Sequence, residues 1–236
     1  MGATHFSGPV LLSGKGDLRT LKDIPVGVNT DYTVLWDDFT GVAIDLTNDW
    51  TEIKDTGASV AIAADEIGGR VALTSAATTD NDGASIQGNE IFRVATDRFI
   101  WFETKFQCND ADQTDLCFGL TVNFATNPEA MLTAADRIVF QVDDGNASIL
   151  CKTEKNGTET STDSGVDLVD ATDVRLGFRV ESTGVVYFYI NQSLVATHTT
   201  NIPDDENLTV AAMSVSGSAS GTRATSIDYI LAAQSR

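Results

Sequence analysis

Two histidines, three cysteines and 34 acidic residues are the groups of this 236-residue chain best suited to acid, base, nucleophile or ligand chemistry. His5 stands in the opening segment and His198 in an alternating apolar–polar run, "SLVATHT". Catalytic triads assemble in space rather than along the chain, so spacing alone leaves His198 open to such a role. No nucleophile-elbow sequence accompanies it, and it reads as a structural or surface histidine. Cys108, Cys117 and Cys151 are an odd set. They read as free buried thiols, with a Cys108–Cys117 bridge across a hairpin as the alternative. The Cys and His residues are scattered and form no zinc pattern. Calcium suits "DNDG" at 80–83 and "DADQTD" at 110–115 better, because short loops rich in carboxylates attract hard cations. Asp80, Asp82, Asp110 and Asp112 are the candidate ligands, against a plain reading of acidic turns. The first loop fits a helix–loop–helix register poorly, with Thr78 at its first ligand position and Asn89 at its last. No other cofactor is expected.

A third group of residues lies in "VRLGFRVESTGVVYFYINQSLVATHT". Alternation puts Val174, Leu176, Phe178 and Val180 on one face, matched by Val186, Phe188 and Ile190 on the next strand. Arg175, Arg179, Tyr187 and Tyr189 then share the opposite face. Planar guanidinium forks and phenol rings can hold a glycan by hydrogen bonding and stacking. The same residues can equally pack against a loop or a subunit.

Such side chains need strands to position them. "RFIWFETKFQ" places Ile100, Phe102, Thr104 and Phe106 on one face and Phe99, Trp101, Glu103 and Lys105 on the other. "LCFGLTV" and "RIVFQV" alternate likewise, followed by six more runs rich in β-branched and aromatic residues. Turn chemistry separates them: "DDGN" at 143–146, Asn156–Gly157 and "ESTG" at 181–184. One short helix is expected, capped by Asn127 with Pro128 at its first position. Many short strands at regular spacing predict an all-β antiparallel sandwich.

The bulk numbers agree with a large domain. Hydrophobic residues make up 42% and charged ones 21%, near globular averages. The formal net charge of −19 repels phosphate backbones and anionic bilayers, so neither nucleic acid nor membrane is an expected partner. No apolar run approaches membrane-spanning length. The opening residues lack the basic and apolar regions of an export signal.

The strand–turn–strand "VYFYINQSLVATHTT", with Asn191–Gln192 where an Asp–Gly turn is usual, resembles the concanavalin A-like lectin/glucanase superfamily, as does "DRFIWFETKFQ". The resemblance covers about residues 36–232 and implies a jelly-roll sandwich. Glucanases of that superfamily carry paired carboxylates at E-x-D-x-x-E. None of the nine glutamates here is followed by Asp two residues on, and Asp204 and Glu206 follow Pro203 in an apparent loop. This chain is therefore expected not to be an enzyme.

The opening "ATHFSGPVLLSGKG", residues 3–16, resembles structural proteins of tailed-bacteriophage virions. It implies a virion location and a capsid-decorating or head-appendage role. Residues 1–33 would form an extended arm and 34–236 the sandwich. His5, Phe6, Pro9, Val10, Leu11 and Leu12 would contact a major capsid protein or another virion protein. A homo-oligomer, taken as a trimer, is expected. The alternatives are a lectin-like module binding glycan for host adhesion and, behind it, a glycoside hydrolase or polysaccharide lyase.

Overall fold

A computed structural model describes residues 10–11, 25–26, 32–76, 79–218 and 221–236. In chain order the strands are β1 (Val10–Leu11), β2 (Pro25–Val26), β3 (Tyr32–Asp37), β4 (Thr51–Lys54), β5 (Ser59–Ile62), β6 (Val71–Thr74), β7 (Gly83–Gln87) and β8 (Ile100–Cys108). They continue with β9 (Thr114–Thr121), β10 (Arg137–Val142), β11 (Ser148–Lys155), β12 (Thr158–Asp167), β13 (Val174–Val180) and β14 (Val186–Ile190). The last three are β15 (Ser193–His198), β16 (Thr209–Ser216) and β17 (Ala224–Ser235).

Two antiparallel sheets form the sandwich. The smaller has seven strands in the order β12-β11-β10-β9-β16-β7-β4. The larger has eight in its count, ordered β15-β14-β13-β8-β17-β6-β5, with β3 also paired to β17. β3 takes the length of β17 that β6 leaves free: Ala224–Ile227 pair with β6 and Ile230–Ser235 with β3. Within the arm segment, Val10 lies opposite Val26 and Leu11 opposite Pro25. His5, Phe6, Pro9 and Leu12 lie outside the described residues.

The predicted faces are those observed. Ile100, Phe102, Phe106, Leu116, Phe118, Leu120, Ile138, Phe140, Val142, Leu176, Phe178 and Phe188 share one buried core between the sheets. Phe106 on the larger sheet stacks on Phe118 of the smaller at 4.3 Å between ring centroids, and Phe140 meets Phe188 edge-on at 5.2 Å. Each such ring contributes about 1.5–3 kcal/mol by leaving water. All three cysteines are free and buried. Cys108 belongs to the inter-sheet core and Cys117 to a separate cluster on the smaller sheet, which closes the alternative of a bridge between them. Burial pushes the Cys108 thiol to about 11 and those of Cys117 and Cys151 to about 12, so none is a ready nucleophile.

Turn chemistry was legible too. Asn156 and Gly157 have φ of 51° and 74°, closing a two-residue hairpin between Lys155 and Thr158. Asn191 and Gln192 do the same at 46° and 72°, joining Ile190 to Ser193. Gln192 holds a left-handed conformation that glycine adopts freely. Gln192→Gly should therefore raise stability by about 1 kcal/mol in a denaturant titration. The expected helix differs: Pro128–Thr133 is a short 3-10 helix, and the Asn127 side chain makes no capping bond. Asn127 Nδ2 instead donates to Glu129 Oε1 at 2.9 Å.

Candidate functional site

The smaller sheet's outer face is occupied by the chain itself. The segment carrying the 3-10 helix lies across it, with Phe124 and Met131 packed on Cys117, Val139, Ala211, Met213 and Val215. Arg137, 3% exposed, anchors this cover. Its Nε donates to Glu154 Oε2 at 2.8 Å, its Nη2 to Glu159 Oε2 at 2.8 Å, and its Nη1 to the Met131 and Leu132 carbonyls and to Gln141 Oε1. Lys152 lies 3.3 Å from Glu159. Glu154 and Glu159 sit directly opposite each other on β11 and β12. They form a carboxylate pair from two strands, held by two cations.

The larger sheet's outer face holds the four residues singled out in the sequence, each partly exposed, beside a small buried cluster of Trp101, Leu231 and Ala233. Arg179 is opposite Trp101 on one side and Tyr187 on the other. Arg175 is opposite Lys105, and Tyr189 is opposite Gly177, itself opposite Glu103. The Arg179 guanidinium lies 5.4 Å from the Tyr187 ring centroid. At the other end of the face Trp36, 43% exposed, stacks on Tyr229 at 5.6 Å and 11°. From β3 to β14 the face crosses four strand spacings, about 19 Å. Gly177 has no side chain, so the middle row is lower between Arg175 and Arg179.

Charge on this face is balanced locally. Lys105 Nζ is 2.6 Å from Asp228 and 2.9 Å from Asp173, Arg70 is 3.0 Å from Asp173, Arg175 is 3.9 Å from Glu103, and Arg179 pairs with Glu181. Burial pushes the Glu103 carboxyl above the usual carboxylate range, against the opposing pull of the Tyr229 hydroxyl, which donates to it at 2.5 Å, and of Arg175. Burial and the neighbouring Glu103 raise Tyr229 as well. Trp101 Nε1 and Arg179 Nε, on residues paired in register, are buried and have no acceptor among the described residues.

The other candidates sit apart. His198 is buried between Thr153 and Thr162, 3.0 Å from each hydroxyl, and desolvation holds its imidazole below its ordinary range. Asp110 pairs with Arg223 at 3.4 Å. Among the described residues no group of three or more His, Cys, Asp or Glu side chains is placed to hold a metal ion. Sequence reasoning put Glu103 and Lys105 on a non-core face but did not join them to Arg175 and Arg179. It read Trp36 as a core or interface residue rather than a sugar platform, and it did not single out Tyr229. The joining signal is strand order, which alternation within a strand does not carry.

No protein-family model and no curated protein matches the chain. Solved structures do. An endo-1,3-β-glucanase from Streptomyces sioyaensis superposes with a TM-score of 0.64 at 12% identity, covering 89% of this chain and 98% of that one. The carbohydrate recognition domain of Emp46p gives 0.59 at 12%, covering 83% and 94%. An endo-β-1,4-glucuronan lyase from the fungus Trichoderma reesei gives 0.58 at 9%, covering 84% and 94%. The fold is a concanavalin A-like jelly-roll sandwich.

One expectation is corrected by these matches. The missing E-x-D-x-x-E led to a non-enzymatic reading, yet the sandwich is one that glucanases, a lichenase and a lyase share. The physical reason is that a linear motif tests one strand at a time. Carboxylates on neighbouring strands, as Glu154 and Glu159 are, escape it. Nothing in the comparisons indicates a virion protein. That reading rests on residues 3–16, of which only Val10 and Leu11 are described.

Proposed function

We propose that this chain is a carbohydrate-active sandwich that holds a neutral polysaccharide across the outer face of its larger sheet. The observation that carries the reading is the set of ring and fork side chains, Trp36, Tyr229, Arg175, Arg179, Tyr187 and Tyr189, brought onto one face in three adjacent cross-strand rows by β3, β17, β13 and β14. Aromatic faces stack on the apolar side of sugar rings, and guanidinium forks donate to hydroxyls. A neutral ligand fits because each cation here already has an anion beside it, while the molecule as a whole carries −19.

The test is binding of neutral β-glucans and related polysaccharides, with product release read in the same samples. Tyr187→Ala and Arg179→Ala should each weaken binding roughly tenfold, about 1.4 kcal/mol. Unaltered affinity in both variants would count against the site. A second reading, bond cleavage on this face, is favoured by Glu103, whose raised carboxyl beside Tyr229 suits a proton donor. It predicts product release that Glu103→Gln abolishes while binding persists.

A further inference from the structure

At one end of the sandwich the segment before β8, the β11–β12 and β13–β14 turns and the loop after β15 enclose a cleft of about 940 Å³. Its size lies at the upper end of the range typical of small-ligand sites. Its walls differ from those of the sheet face. They carry Arg93 and Lys155, the Asp204 carboxylate, three threonines and Asn201, beside Val94, Ala95 and Ile202, with no aromatic side chain. Such a lining is mostly polar and suits hydroxyls and charges.

The two cations are not equivalent. Lys155 is committed to Asp204 and to Asp205, the latter at 3.7 Å. Arg93 has no carboxylate partner among the described residues; its Nη2 reaches only the Asp205 carbonyl, at 3.2 Å. The backbone of Arg93 is also held with care. The buried Gln234 amide accepts its N–H at 3.0 Å and donates to its carbonyl at 2.5 Å. Phe92 and Val94 on either side are buried. A fixed main chain with a projecting guanidinium loses little freedom when a ligand arrives.

We infer that this cleft is a second binding site, taking a carboxylate-bearing, hydroxyl-rich ligand, an acidic sugar, with Arg93 as the bidentate fork for the carboxylate. An Arg fork matches a carboxylate through two parallel hydrogen bonds. The threonine hydroxyls and Asn201 are placed to meet the sugar's hydroxyls. Asn201 Nδ2 gives one N–H to Thr160 at 2.9 Å, which leaves its second N–H as donor and its carbonyl oxygen as acceptor. The site stands apart from the sheet face and does not depend on it.

Calorimetric titration of the full chain with glucuronic acid, glucose and inorganic phosphate separates the outcomes. Saturable binding of glucuronic acid is expected, at least tenfold tighter than either glucose or phosphate. Arg93→Ala should lose at least tenfold and Arg93→Lys less, both with an unchanged melting temperature, because the Arg93 side chain is exposed. Tyr187→Ala should leave this binding intact. The inference is overturned by the absence of saturable glucuronic acid binding, by full affinity in Arg93→Ala, or by glucose or phosphate binding as tightly.

Discussion

Arg137→Met is expected to destabilise the protein by about 3–5 kcal/mol, the range for removing one partner of a buried ion pair. Methionine approximates the volume of the side chain but supplies none of its donors. Glu154, with 11% of its side chain exposed, would lose its 2.8 Å partner and stay largely out of water. Glu159 would keep only Lys152 at 3.3 Å. The Met131 and Leu132 carbonyls and Gln141 Oε1 would also lose their donor. The 3-10 helix hangs on those carbonyls, so local loosening of residues 128–133 should precede global unfolding. For a chain of this size the loss corresponds to a fall in melting temperature of roughly 6–20 °C. Adding Glu154→Gln to the variant should recover part of it by removing the stranded charge. A melting temperature within a degree or two of the parent would show that the cover is held by its apolar contacts alone.

Gly119→Ala is expected to cost roughly 3 kcal/mol or more for a different reason. Gly119 sits in the middle of the smaller sheet, between Val139 of β10 and Ala211 of β16. A Cβ there would lie 2.2 Å from the Ile138 carbonyl oxygen and 2.9 Å from the Val139 Cα, both backbone atoms. Backbone cannot turn aside as a side chain can, so β10 must move away from β9. The residue's φ of 152° adds strain for any L side chain. Overpacking and strain together exceed the usual 1–3 kcal/mol for an added methylene. Gly145→Ala is the control: its φ is 75° but a Cβ meets nothing within 4 Å, so about 1 kcal/mol is expected. Guanidinium denaturation of the two variants reads the difference. Equal losses would mean that conformation alone, not the close approach of β10, fixes glycine at 119.

How these features relate to the sequence depends on their range. Alternation in "RFIWFETKFQ" and "VRLGFRV" is local, and it placed Ile100, Phe102, Leu176 and Phe178 in the core correctly. The Asn156–Gly157 turn is local too, because positive φ at both positions selects those residues. The site was half legible. Arg175, Arg179, Tyr187 and Tyr189 fall within one hairpin, so a single turn brings them together. Trp36 and Tyr229 stack only because β3 pairs with β17, across almost the whole chain. No period or spacing encodes that pairing. The Arg137 anchor was hidden for the same reason, since its carboxylate partners lie on β11 and β12. The 3-10 helix shows the opposite failure. "NPEAML" carries a helix-start signal, but burial of Met131 on the sheet, not capping by Asn127, decides how that segment lies.

The central claim is that glycan is held on the outer face of the larger sheet. Amide and indole chemical shifts of the isotopically labelled full chain, followed during titration with a neutral β-glucan oligosaccharide, test it most directly. The account predicts that the shifting resonances cluster on Trp36, Trp101, Glu103, Arg179, Tyr187 and Tyr189. Shifts confined to β10, β11 and the segment over the smaller sheet, with the Trp101 indole unmoved, would contradict it.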